Sequence, residues 1–144
     1  MLFRSPVVSS VRDLGILVSH DLSPTLHISS IVCNAHKRSA AIGLYHVLLC
    51  RNVDLLVRAY LTYVRLLVEH DSVIWYPYTV KDIEHIESVQ RRFTKRLSGF
   101  GTLPYADRLR CLNLPSLELR RLHTDLIYCY KIFFGLTDLR PTAQ

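Results

Sequence analysis

Apolar residues recur along most of this chain at intervals of three and four, the spacing that gathers side chains on one face of an α-helix. The pattern starts at Ser23-Pro24, a serine cap followed by proline at the first helical position. From there Ile28, Ile31, Val32, Ala35, Ser39, Ile42, Leu44 and Tyr45 mark one face of a helix predicted to run to about Leu49. Asn52 or Asp54 opens a second helix. Its polar residues Arg58, Thr62, Arg65 and Glu69 form one narrow stripe on an otherwise apolar cylinder, so this helix is expected to be central and buried. The segment Ser72 to Tyr78 reads as a connection, because Pro77 biases Tyr76 away from helix and removes a donor. Thr79 with Asp82 three residues on is a near match to a capping box, and Ile83, Ile86, Val89, Phe93 and Leu97 give the third helix its buried stripe, with Gly99 as its stop. A short helix is predicted from Tyr105 to about Leu112. Pro115-Ser116 introduces the last one, whose apolar stripe is Leu119, Leu122, Leu126, Tyr130 and Phe133, ending at Gly135.

The first 22 residues follow another rule. Val7 to Val11 and Leu14 to Val18 are short β-prone runs interrupted by Asp13 and Gly15, which predicts one or two short strands. A lone strand pair is marginal in water, so these strands must extend something larger or lean on the helices. The fold class expected is therefore mainly α: about five helices, bundle-like, preceded by a short β-strand pair.

Composition narrows the picture. At 144 residues and 49% hydrophobic, with only five glycines, the chain suits one globular domain and not a disordered tail. The most apolar stretch, Val53 to Val68, is interrupted by Asp54, Arg58 and Arg65, so no membrane span is expected. Met1 to Pro6 is too short for a secretory signal and contains Arg4, and Cys33, Cys50, Cys111 and Cys129 fall singly in apolar helical contexts, which suggests an intracellular chain with reduced core thiols. No C-x-x-C or H-x-x-x-H pair marks a metal site, and Cys33 with His36 supplies only two ligands. His70-Asp71 lacks a marked nucleophile and reads as a solvated or capping pair. Two-metal nucleotidyl transfer needs clustered aspartates, whereas no Asp-Asp pair occurs here, so the chain alone is expected to catalyse no polymerisation and to hold no cofactor.

The net charge of +6 favours a polyanionic partner. One segment is suited to it: Arg91, Arg92, Lys95 and Arg96, four cations within six residues of one predicted helix, could track a phosphate backbone. The competing reading is structural. This helix begins acidic with Asp82, Glu84 and Glu87 and ends basic, as its dipole favours, and Glu87 stands four residues before Arg91. Lys37-Arg38 and Arg120-Arg121 lean towards structural roles. Trp75, Tyr76 and Tyr78 could stack on bases, although an aromatic plug closing a helical core is the commoner use.

The order of these segments resembles a known family. Val11-Arg-Asp-Leu-Gly-Ile-Leu-Val18, followed by Asp21-Leu-Ser23 and His27-Ile28, is similar to the strand leaving the palm of jockey-type and related non-LTR (LINE) retrotransposon reverse transcriptases. Ala59-Tyr-Leu61, Val68-Glu-His70 and Trp75-Tyr-Pro77 resemble that family's next stretch, and Asp82-Ile-Glu84, Val89-Gln-Arg-Arg92 and Lys95 its following helix. Tyr105-Ala-Asp-Arg-Leu109, Leu112-Asn-Leu-Pro-Ser-Leu117, Arg120-Arg121 and Asp125-Leu126 complete the series, which covers roughly residues 11 to 136. His70-Asp71 and Thr124 depart from the family pattern, where Tyr-Ala and Gly are usual.

The resemblance implies a division of the chain: residues 1–22 a remnant of palm edge strands and the palm–thumb junction, 23–136 the helical thumb and its extension, and 137–144 a tail. It also implies a function, holding template–primer duplex (RNA–DNA or DNA) for an RNA-directed DNA polymerase. The catalytic aspartates and their Mg2+ would belong to the palm, the other implied partner. The implied duplex-facing residues are Arg91, Arg92, Lys95 and Arg96, with Asp13, Leu14, Gly15 and Ile16 at the palm–thumb junction, and a nuclear location is compatible. The alternative is a non-enzymatic helical protein-interaction module, or a decayed element fragment without activity, with the apolar strand region Val7 to Val18 as an association surface.

Overall fold

The structure is a computed structural model that describes residues 9–48 and 51–137. It is mainly helical, with one antiparallel hairpin at its start, as the periodicity predicts. The hairpin pairs β1 (Ser10–Asp13) with β2 (Ile16–Ser19) through a two-residue turn, Leu14-Gly15, both with positive φ (46° and 89°). Those angles belong to the type I′ turn that matches strand twist, and Gly15 adopts its share without strain. Residues Val7 and Val8 lie outside the described residues.

The hairpin does lean on the helices. β1 is exposed throughout, whereas Ile16 of β2 enters the core. Leu17 opposes Arg12 and donates its N–H outward to His27 Nδ1 at 3.2 Å. His27 sits on α1 (Thr25–Leu48), the first long helix, so an otherwise unpaired edge donator of the sheet is satisfied by the helix it rests on. At the start of α1, Ser23 Oγ accepts from Thr25 N at 3.4 Å, as expected of the cap.

The second rod comprises α2 (Val53–Tyr60), a π turn (Leu61–Arg65) and α3 (Leu66–Glu69). Asn52 opens it, its side chain accepting from Asp54 N and Leu55 N. Its buried residues are Leu56, Tyr60, Val64 and Val68, at a constant interval of four. On an α-helix that interval drifts by about 40° per step. The wider i→i+5 turn takes up part of the drift and keeps all four on one side. The rod is not the wrapped central helix that its composition suggests. Leu55, Tyr63 and Leu66 face out beside Arg58 and Thr62, while Arg65 and Glu69 of the supposed wet stripe are half-buried.

The most heavily used helix is instead α1, which packs on β2, on every part of the rod and on a further helix that in turn carries α5 (Tyr105–Cys111) and α6 (Leu117–Phe133): α4 (Val80–Arg96). Thr79 caps it, accepting from Asp82 N at 3.1 Å and donating to Asp82 Oδ2 at 2.8 Å. Asp82 also accepts from Thr25 Oγ1 at 3.1 Å, which joins the starts of α1 and α4. Further along, His36 meets Ser88, and Ser39 and Ile42 line a small cleft with Phe93 and Arg96. The two helices therefore run parallel.

The core gathers Ile28, Val32 and Ala35 of α1, the four rod residues, and Ile86, Val89, Phe93 and Leu97 of the α4 segment, with Ile83 half-buried. Tyr60 stacks on Phe93 with ring centroids 4.3 Å apart. Trp75 closes one end as a plug: it is buried, its Nε1 donates to the His70 carbonyl at 2.8 Å, and its ring lies 5.4 Å from that of His27. Tyr76 and Tyr78 are exposed.

Three expectations about burial fail. Leu44 and Tyr45 of α1 are exposed, because the rod and α4 cover only the first two-thirds of the apolar face. Cys33, Cys111 and Cys129 are exposed free thiols and not core residues; Cys50 lies outside the described residues. The predicted stripe of α6, Leu119, Leu122, Leu126, Tyr130 and Phe133, faces solvent along its whole length. That helix buries Leu117 and Arg121 instead.

Candidate nucleic-acid interface

The buried side of α4 is half polar. Beside its apolar stripe it encloses Asp82, Glu87, Gln90 and Thr94, and the last three fix α5 and α6 in place. Glu87 accepts from the backbone N–H groups of Leu117 (3.0 Å) and Glu118 (3.3 Å), so a carboxylate from α4 caps the start of α6, where the helix dipole favours negative charge. Glu87 also accepts from the Tyr105 hydroxyl. Gln90 donates to the Pro115 carbonyl at 2.9 Å and to Tyr105 Oη at 3.3 Å, and accepts from Tyr60 Oη at 3.3 Å. Burial, aided by Glu87, pushes the Tyr105 hydroxyl well above the ordinary tyrosine range, and burial does the same to Tyr60. Both stay neutral donors.

This network decides the state of the basic segment. The Glu87 carboxylate faces inward, so the expected Glu87–Arg91 surface pair does not form. Arg91, Arg92, Lys95 and Arg96 are all exposed, and none is in an ion pair among the described residues. At 3.6 residues per turn the four fall within an arc of about 140° on the face opposite the core. Arg91 is steadied by its guanidinium lying 5.2 Å from the Tyr105 ring centroid. Arg108 of α5, buried, reaches back to donate to the Arg91 carbonyl at 2.8 Å and to Thr94 Oγ1 at 3.1 Å. One arginine thus clasps the last turns of α4 while the others are left free for solvent or ligand.

One histidine from another helix borders the same face. His36 of α1 lies 3.3 Å from Ser88 Oγ through Nε2. Its imidazole is held below the ordinary value by burial first, then by the charges of Arg92, His85 and Arg96. No local pattern marks His36 as part of this patch, since only the parallel packing of α1 and α4 brings it there.

The arginines of the other basic pairs are turned towards the protein itself. Arg120 makes a two-point ion pair with Glu69, its Nη2 3.1 Å from Oε2, which ties α6 to the rod and raises the arginine's pKa. Arg121 is buried, and burial lowers its pKa from the usual value against the pull of Glu87. Arg38 donates to the Tyr63 carbonyl at 3.2 Å in the π turn. His70 and Asp71 form an exposed pair at 3.0 Å.

Asp13, Leu14, Gly15 and Ile16 stand apart from the basic segment. They form the hairpin tip, where Gly15 and Ile16 lie beside Ser30, Ile31 and Asn34 of α1 and the end of the rod, whereas Arg91 to Arg96 lie on the outer face of the last turns of α4. Beside the hairpin, Arg12, Gly15 and Ile16 line a largely apolar cleft of about 550 Å3 with His27, Ile31, Leu66 and Leu67. Among the described residues no three His, Cys, Asp or Glu side chains gather as metal ligands, and no helix is long and apolar enough to cross a membrane. Comparison of the sequence and fold with protein-family models, curated proteins and solved structures returned no match.

Proposed function

We propose that this chain is the duplex-holding helical part of a non-LTR retrotransposon reverse transcriptase, a fragment of an RNA-directed DNA polymerase that lacks the catalytic aspartates. The observation that carries the reading is the set of four uncompensated cations, Arg91, Arg92, Lys95 and Arg96, on one exposed face of a helix whose acidic neighbour is engaged elsewhere. Such a face costs little to present to phosphates, because no ion pair must be broken first. The segments that carry the family resemblance also interlock: Gln90, Tyr105, Arg108, Pro115 and Leu117 belong to one hydrogen-bonded unit. In this role the chain grips a template–primer duplex through its backbone, without reading sequence, and leaves phosphoryl transfer to a palm with its Mg2+.

A fluorescein-labelled RNA–DNA duplex titrated at two salt concentrations tests the reading. Four phosphate contacts give a slope of about −3 to −4 in log K against log salt. Replacing Arg92 and Lys95 by glutamate is expected to weaken binding at every duplex sequence and to reduce the slope by about one per residue lost. Absence of binding at low salt, or binding indifferent to these substitutions, overturns it.

A further inference from the structure

The outward stripe of α6 is left uncovered by the rest of the described chain. Between residues 122 and 136 only Asp125 is even half-buried, so the helix leaves the body after its first turns and carries its apolar residues into solvent. Leu119, Leu126 and Phe133 are 56%, 60% and 84% exposed, with Leu122 and Tyr130 between them. At about 150–250 Å2 for each large side chain, the stripe with its neighbours Ile127 and Phe134 exposes on the order of 800 Å2. That exceeds the largest apolar patch of an ordinary monomer and equals what each partner of a standard interface buries, about 800 Å2.

The spacing identifies the occupant. Leu122 and Tyr130 each stand four residues from Leu126, and Leu119 and Phe133 each stand seven. The stripe is therefore palindromic about Leu126. We propose that a second copy of this chain docks here, α6 against α6 in antiparallel orientation, with a two-fold axis passing at Leu126. In that register Leu126 meets its counterpart, each Leu122 meets a Tyr130 of the partner copy, and each Leu119 meets a Phe133. Every outer layer then holds one leucine and one aromatic ring, of nearly equal volume. A parallel pair would stack Phe133 on Phe133 at one end and Leu119 on Leu119 at the other, leaving the layers unequal. The stripe contains no charge, so no like charges meet. The interface is isologous and closed, as in most soluble homo-oligomers. It is independent of the duplex reading, since α4's basic face takes no part in it.

Sedimentation equilibrium of the full chain, at about 0.5 M salt so that contaminating nucleic acid cannot bridge copies, is expected to show a concentration-dependent monomer–dimer equilibrium. Leu126→Arg places two guanidinium groups on the axis and is expected to raise the dissociation constant by about 100-fold or more, with helix content by circular dichroism unchanged. Leu66→Arg, at an equally exposed site on the rod, leaves the dimer intact. Leu122→Lys and Tyr130→Glu each dissociate it, and the two together restore it, because only the antiparallel register sets one against the other. A chain that stays monomeric up to about 200 μM, or a dimer indifferent to Leu126→Arg, overturns the proposal. A double variant that stays monomeric overturns the antiparallel register. Monomers that bind phosphatidylcholine–phosphatidylserine vesicles through this helix, without self-association, overturn it in favour of a lipid surface.

Discussion

Glu87→Ala separates the sequence expectation from the structure by magnitude. Were Glu87 the surface partner of Arg91, its loss would cost about 0.3–0.5 kcal/mol. In the structure Glu87 is buried and accepts from Leu117 N, Glu118 N and the Tyr105 hydroxyl. Removing it strands the buried Leu117 N–H at about 1–3 kcal/mol, and the half-buried Tyr105 hydroxyl, which keeps its bond from Gln90, loses about 1 kcal/mol. The lost negative charge at the start of α6 adds about 0.5 kcal/mol. Glu118 N, only partly buried, can recover by hydration. The expected cost is about 4 kcal/mol, which for a chain of this size lowers Tm by about 12–15 °C. Urea unfolding followed by far-ultraviolet circular dichroism, at one fixed protein concentration, measures it. Glu87→Gln retains a carbonyl for Leu117 N and costs about 1–2 kcal/mol. A double-mutant cycle supplies the control: Glu87 couples to Tyr105 (tested with Tyr105→Phe) by more than about 1 kcal/mol, and to Arg91 by nearly nothing. A loss under about 1 kcal/mol for Glu87→Ala, or strong coupling to Arg91, refutes the capping role.

Two further outcomes follow from local geometry. Leu14 holds a left-handed φ of 46° in the hairpin turn while 88% exposed, so Leu14→Asn, which makes the favoured Asn-Gly pair, should stabilise the chain by about 0.5–1 kcal/mol in the same unfolding assay. His36 has its folded pKa depressed below 6.5, so the folded state binds fewer protons than the unfolded one just below that pH. Stability is therefore full above about pH 6.5 and falls as pH drops through the window beneath it, and His36→Gln should flatten that slope. Duplex phosphates lying against Arg92 and Arg96 would screen those cations. The His36 pKa, followed by proton NMR, should then rise when duplex is added; an unchanged value would place the ligand elsewhere.

The boundaries of the helices were legible because capping is chemistry between residues two or three apart. Ser23, Asn52, Thr79 and Ser116 each hold an N–H of the first turn with their own side chains, and Gly99 and Gly135 take the positive φ that ends a helix. The buried stripe of α4 was legible for the same reason, since its periodicity matches one face. The basic segment was visible as a charge cluster, but its freedom from ion pairs was not, because that depends on a carboxylate turned towards groups thirty residues on.

What the sequence by itself determined, then, is where helices and hairpin begin and end, and where cations concentrate. Only the tertiary structure decided which faces point inward. An amphipathic pattern says that a helix has an apolar side, not whether the chain itself provides something to cover it. For α4 it does. For α6 the body buries Leu117 and Arg121 on the opposite side and holds the start of the helix through Glu87, and the leucine and aromatic stripe is turned outward. The polar contacts that orient this helix join residues far apart in sequence, and no local pattern records them.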